Sequence, residues 1–227
     1  HYKYLENYTV NVRKSKRQKR LKRLLQNTDG IIFHDFELIP HLPCIDKPIY
    51  IVPLRLDVKK FKPIYPEYRD KPVIVHAPSR RQVKGTDKIL DALKKVKSDF
   101  KLVLVEGKTQ EEAFKIYKEA DIIIDQISGG TYGVLALEAM ALGKPVITYI
   151  DDEFRATFPE ELPIVSAEFD NLHEIISDLI ANSNKRTELG KAGRRYVERY
   201  HDADKIGVYL KRIYEGTVEE NNLFKLL

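Results

Sequence analysis

The stretch at residues 121–150, DIIIDQISGGTYGVLALEAMALGKPVITYI, constrains the fold more than any other part of the chain. It begins with Ile122, Ile123 and Ile124, a β-branched run typical of a strand that is buried on both faces. A glycine-rich turn follows, and then a helical pattern at 134–142 that Gly143 and Pro145 end. The last residues, 145–150, form a second apolar run. Strand, turn, helix and strand in this order predict a βαβ unit.

The turn at 129–133 is a candidate phosphate-binding site. A helix N-terminus offers N–H groups without partners and a partial positive charge, and glycine lets the backbone approach a ligand closely. The turn alone leaves two interpretations open, because most such turns bind nothing and neither a GxGxxG nor a Walker spacing is present. Glu138 favours the ligand site, since a carboxylate in an otherwise apolar helix needs hydroxyls, amides or a cation as partners.

Strand and helix patterns alternate along most of the chain. Strands are predicted at 73–77, 101–105, 145–150 and 163–165, in addition to 122–124, and helices at 85–96, 109–120, 134–142, 171–181, 185–199 and 204–214. This alternation predicts an α/β fold, a Rossmann-like doubly wound parallel sheet with helices on both faces. Residues 216–227 show no clear pattern, so they are expected to be frayed or packed elsewhere.

Three loops follow strands at the edge where such sheets bind ligands, at 78–84, 106–108 and 127–132. The first is a basic loop that carries Arg80, Arg81 and Lys84, and the third carries the glycines. Cations from one loop and helix N–H groups from another are the two parts of a diphosphate site. His76 ends the strand before the basic loop. Its side chain either faces a phosphate or catalyses the reaction, or it makes ordinary hydrogen bonds at the end of the strand.

The basic residues are concentrated near the N-terminus. Eight of the eleven residues at 13–23 are lysine or arginine. The whole chain has a net charge of +5, so the remainder without these eight residues has a net charge of −3. A general nucleic-acid-binding surface is therefore not expected. The run predicts a cationic helix at 13–25, which is either a solvated face or a peripheral contact with an anionic membrane. The single cysteine, Cys44, excludes an internal disulfide and fits a reducing, cytoplasmic compartment.

Three segments together resemble the C-terminal domain of GT-B-fold glycosyltransferases of the large retaining group 1, or family 4. They are HAPSRRQVKGTDKILDAL at 76–93, KEADIIIDQ at 118–126 and GTYGVLALEAMALGKPVITY at 130–149. The resemblance implies a donor-binding domain that binds a nucleoside-diphosphate sugar and transfers the sugar to a glycan, lipid-linked or protein acceptor. It implies no metal and no further cofactor, because protein cations and a helix dipole neutralise the diphosphate.

The resemblance also implies roles for single residues. Lys84 matches the lysine that binds the donor diphosphate, and Arg80 or Arg81 supplies a second charge. The backbone amides around Tyr132, Gly133 and Val134 are expected to meet the phosphates. Glu138 matches the second glutamate of the family's E-x7-E pattern and is expected to bind the ribose hydroxyls.

One position departs from the family pattern, because Gly130 stands where the first glutamate of E-x7-E is expected. That glutamate contacts the donor sugar, so Asp125, Gln126 and the loop at Gly130 are candidates for the sugar contact. The departure keeps two alternatives open, a non-catalytic nucleotide-sugar-binding module and a nucleotide-sugar epimerase of the same fold. No catalytic residue is assigned.

The resemblance divides the chain into three parts. Residues 1–62 are expected to be the tail of an acceptor domain with the basic helix and a linker, residues 63–203 the nucleotide-sugar-binding domain, and residues 204–227 a C-terminal helix and tail. An acceptor domain would be about one further domain in length. The chain is thus expected to be a fragment of a longer enzyme or a subunit that needs a partner.

Overall fold

The computed structural model describes residues 14–37, 39 and 46–227, without the side chains of residues 14–18. Most of the chain forms one α/β unit, and its elements alternate as the sequence predicts. In chain order they are α1 (Lys14–Gln26), β1 (Ile31–Phe33), β2 (Ile49–Ile51), a 3-10 helix (Val58–Lys60), β3 (Val73–His76), α2 (Arg81–Lys84), α3 (Thr86–Leu93), β4 (Lys101–Leu104), α4 (Gln110–Glu119), β5 (Ile122–Ile124), α5 (Val134–Ala141), β6 (Val146–Thr148), α6 (Asp152–Arg155), β7 (Val165–Ser166), α7 (Leu172–Ala181), α8 (Ser183–Tyr200), α9 (Ala203–Tyr214) and α10 (Leu223–Leu226).

The central sheet has five strands in the order β4-β3-β5-β6-β7, and every pair is parallel. This confirms the predicted doubly wound parallel sheet. The order reverses between β3 and β5, because β4 lies on one side of β3 while β5, β6 and β7 lie on the other. Such a switch point opens a crevice at the carboxyl ends of the two strands. The loops that follow β3 and β5 are the basic loop and the glycine-rich turn.

Successive strand residues point to opposite faces of the sheet, so each face has its own apolar core. One face packs against α4, α5 and α8, and the other packs against α3 and α7. The strand residues on the first face are Val73, Val75, Ile123 and Val146. Those on the second face are Ile74, Ile122, Ile124 and Ile147. The β-branched run at 122–124 is buried on both faces, as its composition predicts.

The basic loop differs from its prediction. Residues 81–84 form the short helix α2, and α3 begins at Thr86 rather than at Gly85. Gly85 separates the two helices with φ +73°, a left-handed conformation that glycine adopts without strain. A Cβ there would lie 2.7 Å from Ser128 Oγ. The turn between α2 and α3 therefore packs directly against the loop after β5.

A smaller unit lies outside the central sheet. Strands β1 and β2 pair in parallel, and α9 and the C-terminal segment pack beside β2. Val52, Ile206, Tyr209 and Leu223 form its buried cluster. Within 216–227 the residues at 222–224 are buried, and α10 places Phe224 in the main core, so this end of the chain is anchored by packing.

Part of the N-terminal predictions falls on residues 1–13, 38 and 40–45, which include His41 and Cys44 and lie outside the described residues. The predicted cationic helix is present as α1. Within the described part of the chain, no helix has the length and apolar character needed to cross a lipid bilayer.

Candidate functional site

The site is built where the loops after β3 and β5 meet. The backbone N–H of Ile127, which follows β5, donates to the backbone carbonyl of Lys84 at the end of α2 (3.1 Å). Because Gly85 turns the chain immediately afterwards, the Lys84 side chain is held at the carboxyl edge of β5. We call residues 127–133 the glycine loop.

Lys84 is almost enclosed, with 12% of its side chain exposed. Its Nζ donates to Oδ1 of Asp125 (2.6 Å) and to Oε1 of Gln126 (3.0 Å). A Cβ built on Gly133 would lie only 3.8 Å from the same Nζ. The predicted lysine and the predicted glycine are therefore adjacent, and the small space between them is bounded by a cation and by backbone.

Helix α5 begins at this space. Gly133 is its N-cap and gives no side-chain hydrogen bond to the first turn, while the side chain of Val134 is 54% exposed. The first N–H groups of a helix have no intrahelical acceptor and carry partial positive charge. The start of α5 and the ammonium of Lys84 thus bring a partial and a full positive charge close together, as the predicted phosphate-binding site requires.

The two arginines of the basic loop differ in their surroundings. Arg81 makes a bidentate ion pair with Glu106, which follows β4, through Nε (2.7 Å) and Nη2 (2.6 Å). The same hydrogen bonds raise the pKa of Arg81 and lower that of Glu106. Arg80 is exposed and has no ion-pair partner within the described residues. As far as the described residues show, Arg80 is therefore available to a ligand, whereas Arg81 would have to exchange Glu106 for one.

Glu138 lies one helical turn beyond Val134 and is 8% exposed. Its Oε1 accepts a hydrogen bond from Nε2 of Gln110 (3.2 Å), the first residue of α4. Burial raises the pKa of Glu138, and the nearby Asp125 adds to this shift, while the bond from Gln110 opposes it. Among the described residues this carboxylate has one neutral hydrogen-bond partner, at a long distance, so it retains acceptor capacity beside the loop that enters α4.

The three residues predicted as sugar contacts are occupied within the protein. Asp125 is fully buried, and its Oδ2 faces the N–H of Gly133 at 3.4 Å. Gln126 donates from Nε2 to the carbonyl of Thr131 (2.5 Å) and accepts from Lys84. Gly130 is buried, and a Cβ there would lie 3.1 Å from the ring of Phe154. Asp125 and Gln126 thus position Lys84 and the glycine loop through their hydrogen bonds. Their contact with a donor sugar stays a prediction.

His76 is a structural residue of the site. Its Nδ1 lies 2.8 Å from the carbonyl of Ile124 and its Nε2 lies 2.9 Å from Oγ1 of Thr86, and the ring is fully buried. Because the carbonyl only accepts, the network assigns the proton to Nδ1 and makes Thr86 the donor to Nε2. Burial lowers the pKa of His76. The ring ties β3, β5 and the start of α3 together and has no hydrogen-bonding atom left for a ligand.

Sequence reasoning placed the loop at 106–108 at this edge but assigned no role to three further residues that the structure brings to the candidate site. Glu106 and Gln110 are the partners of Arg81 and Glu138, and Glu37, which follows β1, accepts a long hydrogen bond from Thr131 Oγ1 in the glycine loop (3.4 Å). The position of Glu106 at the end of a strand beside the basic loop was a usable signal. Glu37 had none, because only tertiary structure brings β1 to the glycine loop.

No cluster of three histidine, cysteine, aspartate or glutamate side chains suited to a metal ion occurs within residues 14–37, 39 and 46–227.

Comparisons with known proteins identify a family from the sequence and a shared fold from the structure. A model of the family described as glycosyl transferase-like matches residues 81–211. No curated protein shows a significant match to the sequence. Among solved structures, the chain is similar to sucrose-phosphate synthase from Thermosynechococcus elongatus, with a TM-score of 0.70, 19% identity, and coverage of 89% of this chain and 61% of that one.

Two further structures give a similar result. A glycosyltransferase from Rickettsia africae has a TM-score of 0.71 and 16% identity over 90% of this chain and 68% of that one. Anabaena HepE, in complex with UDP and glucose, has a TM-score of 0.68 and 13% identity over 88% of this chain and 67% of that one. The chain thus spans 61% to 68% of the length of these three proteins.

Proposed function

This chain belongs to the glycosyl transferase-like family, and we propose that it binds the diphosphate of a nucleoside-diphosphate sugar between Lys84 and the start of α5. Joined to an acceptor domain, it would supply the donor half of a glycosyl transfer. In that reaction the bond from the anomeric carbon to the diphosphate oxygen breaks, an acceptor hydroxyl oxygen forms the new bond, and the acceptor proton and the nucleoside diphosphate leave.

One observation carries the proposal, the closeness of the Lys84 ammonium to Gly133 at the uncapped start of α5. A diphosphate in this space would accept hydrogen bonds from the amides around Tyr132, Gly133 and Val134 and from Lys84. The leaving diphosphate gains charge as the sugar departs, and fixed donors in a partly enclosed site stabilise that charge.

Protein groups provide the positive charge in this proposal. Lys84 is held in place, Arg80 is exposed, and the helix dipole of α5 points its positive end to the site. Binding should therefore persist without a divalent metal. Glu138 would accept hydrogen bonds from the ribose hydroxyls, which are stronger partners for a carboxylate than the amide of Gln110.

Calorimetric titration with UDP, GDP and ADP tests the binding proposal, with excess EDTA in one series and Mg²⁺ in another. We expect one nucleotide to bind with a similar affinity in both series. UDP is the first probe, because the Anabaena HepE structure contains it. If none of the three binds at millimolar concentration, the proposed function is wrong.

Single substitutions of the two arginines decide which of them contributes the second charge. We expect Arg80→Ala to weaken binding more than Arg81→Ala, because Arg81 is already paired with Glu106. Glu106→Gln is the matched control, because it frees Arg81 without changing the basic loop. Stronger binding by Glu106→Gln would show that Arg81 can turn to the diphosphate.

A second candidate function is nucleotide-sugar binding without transfer, and Gly130 is the observation that favours it. No carboxylate stands at this position, and a side chain there would meet Phe154 and Asp151. Incubation of the nucleotide sugar with the chain and an acceptor domain distinguishes the two. Release of nucleoside diphosphate with a glycosylated product supports transfer, and a changed sugar without acceptor would indicate an epimerase.

The acceptor side includes a proposed membrane contact through α1. Lys19, Arg20, Lys22 and Arg23 are exposed on this helix, and Leu24 is 57% exposed beside them. Cations next to an exposed apolar side chain suit an anionic bilayer at the cytoplasmic face. We expect cosedimentation with phosphatidylglycerol vesicles that is lost at high salt and in a variant with these four residues changed to glutamine. Equal binding to neutral phosphatidylcholine vesicles would contradict the proposal.

A further inference from the structure

The side chain of Tyr132 extends from the glycine loop into the protein interior. It is 5% exposed, and its hydroxyl lies 3.1 Å from Nε2 of His201 and 3.2 Å from the hydroxyl of Tyr196. The other ring nitrogen of His201, Nδ1, lies 2.7 Å from the carbonyl oxygen of Leu54. A continuous buried hydrogen-bond chain therefore runs from the glycine loop to residue 54.

The direction of each bond follows from the histidine. The carbonyl of Leu54 only accepts, so Nδ1 carries the proton. Burial lowers the pKa of His201 to about 4, so the ring is neutral at pH 7 and Nε2 is an acceptor. Tyr132 must then donate to His201, and Tyr196 must donate to Tyr132. Each polar group in this series of hydrogen bonds thus has a partner, and all the bonds run in one direction, from Tyr196 through Tyr132 and His201 to Leu54.

The hydrogen-bond series ends at Leu54, in the region where the polypeptide passes between the two sheets. Residues 54–56 lead from β2 to the central sheet, and residues 201–203 lead from α8 back to α9 beside β2. The two segments bond to each other, through Leu56 N–H to the carbonyl of His201 (2.8 Å) and Ala203 N–H to the carbonyl of Leu56 (3.0 Å). We call residues 54–56 and 201–203 the paired crossing.

Aromatic rings surround the same contact. Tyr132 packs on Phe158 with ring centroids 4.9 Å apart, and Phe158 and His201 both contact Phe224 of α10. The ring of Tyr132 is thus held by packing as well as by its hydroxyl. A shift of the glycine loop would move this ring, and the ring cannot move without displacing His201 or its neighbours.

We infer that Tyr132 and His201 are positioning residues that couple the glycine loop to the paired crossing, so that ligand binding at the loop and the relative placement of the two sheets depend on each other. The inference rests on the proposed function for the identity of the ligand. The coupling is reciprocal: a diphosphate that fixes the loop also fixes the crossing, and a change at the crossing alters affinity at the loop.

Hydrogen exchange on the full chain, with and without saturating UDP, tests the coupling. We expect UDP to slow exchange locally, at 127–137, and remotely, at 54–56 and 201–203. Tyr132→Phe keeps the ring but removes the hydroxyl, so we expect the local protection to remain and the remote protection to disappear. We also expect UDP affinity to fall about tenfold, the effect of one or two buried hydrogen bonds.

Two substitutions of His201 test its hydrogen bonds to Tyr132 and to Leu54 separately. His201→Gln places an amide near the position of Nε2 and can still accept from Tyr132, whereas His201→Asn places one near Nδ1 and can only meet Leu54. We expect His201→Gln to retain more UDP affinity than His201→Asn. Tyr132→Phe added to His201→Asn should cost little more than either change alone, because both remove the same contact.

Tyr209→Phe is the matched control, because Tyr209 is a buried tyrosine whose hydroxyl donates to Glu220 away from the loop (2.6 Å). It should leave UDP affinity and remote protection unchanged. Exchange without ligand keeps the inference separable from the proposed function: His201→Asn should speed exchange at 130–137, and Tyr209→Phe should not. Unchanged loop exchange in His201→Asn, or remote protection that survives in Tyr132→Phe, overturns the inference. If none of UDP, GDP and ADP binds to the wild-type chain, the proposed function is overturned instead.

Discussion

The ammonium of Lys84 and the carboxylate of Asp125 form a buried ion pair, with Nζ and Oδ1 2.6 Å apart and the carboxylate fully enclosed. The pair lies under the start of α5 and fixes a cation at the point where the helix dipole is also positive. Burying two charges is expensive, and such pairs are weak evidence for stability. The proposed diphosphate site supplies a reason for this cost, because it needs a cation held in this place.

Removal of Lys84 should separate stability from binding. Lys84→Met leaves Asp125 as an unpaired buried charge, so we expect unfolding to become easier by about 3–5 kcal/mol in urea titrations. UDP binding should also be lost. Adding Asp125→Asn removes the stranded charge and should recover much of the stability without recovering the binding. Recovery of UDP affinity by the double variant would show that Lys84 does not contact the ligand.

Gly133→Ala should block the site without unfolding the protein. The new Cβ would make ordinary contacts of 3.7 Å with Asp125 and 3.8 Å with Lys84, and it would take up space that the diphosphate needs. We expect UDP affinity to fall at least about tenfold, roughly the cost of a displaced ligand contact, with an unchanged circular dichroism spectrum.

Gly207→Ala is the control for that experiment, because Gly207 lies within α9 and a Cβ there meets nothing within 4 Å. It should leave binding unchanged and raise stability by about 0.5–1 kcal/mol, the helix preference of alanine over glycine. Equal UDP affinity for the wild-type chain and Gly133→Ala would place the ligand elsewhere.

Glu138→Gln should reduce the preference for ribose. If the carboxylate accepts from the ribose hydroxyls, the wild-type chain should bind UDP more tightly than 2′-deoxy-UDP, and the substitution should narrow that ratio by about tenfold, the worth of a charged hydrogen bond. Competition titrations with the two nucleotides measure the ratio. If the substitution leaves the ratio unchanged, Glu138 does not contact the ribose and only bonds to Gln110.

The same substitution should alter the pH dependence of stability. The pKa of Glu138 is higher in the folded protein than its usual value of 4.5, with burial as the main cause. The folded state thus holds this proton more tightly, so its contribution is complete below pH 4.5 and is lost as the pH rises through the folded pKa. At pH 7.5 Glu138→Gln should therefore be more stable than the wild-type chain.

His201 should make the protein sensitive to mild acid. Its pKa falls from 6.5 to about 4 on folding, because the buried ring is held neutral. The unfolded chain binds the extra proton first, so stability is complete above pH 6.5 and falls as the pH drops towards 4, by about 3 kcal/mol from this group. Urea midpoints measured from pH 7.5 to pH 4.5 should fall less steeply in His201→Gln. His76 contributes with the same sign in both proteins, so the difference between the two slopes isolates His201.

Sequence patterns predicted several structural features around the candidate site. The β-branched run at 122–124 predicted a strand buried on both faces, and the structure confirms it. The residues Thr109 and Glu112 have the Thr-x-x-Glu spacing of a capping box, and the structure shows that box at the start of α4. The basic loop, the glycine-rich turn and a carboxylate in an apolar helix drew attention to Lys84, Gly133 and Glu138, and the family resemblance implied their roles, which stay predictions.

Other features depend on contacts between distant parts of the chain. The sequence placed Arg80 and Arg81 together, and only the structure shows that Glu106 engages Arg81. It grouped Tyr132 with the phosphate-binding amides, while the structure turns its side chain inward to His201, 69 residues later in the chain. Local patterns carry no information on such pairs, because their partners are set by how helices and strands pack.

The sequence by itself thus determined the α/β architecture, the alternation of strands and helices in the central unit, and the loops at the carboxyl edge of the sheet. These follow from periodicity, glycine positions and buried charge, which act within a few residues of each other. Tertiary structure alone decided that Lys84 lies against Gly133, that Asp125 holds it there, and that the glycine loop is bonded to the paired crossing. The physical reason is that parallel strands bring their carboxyl ends to one edge, so residues about fifty positions apart, such as Lys84 and Gly133, become neighbours only when the sheet forms.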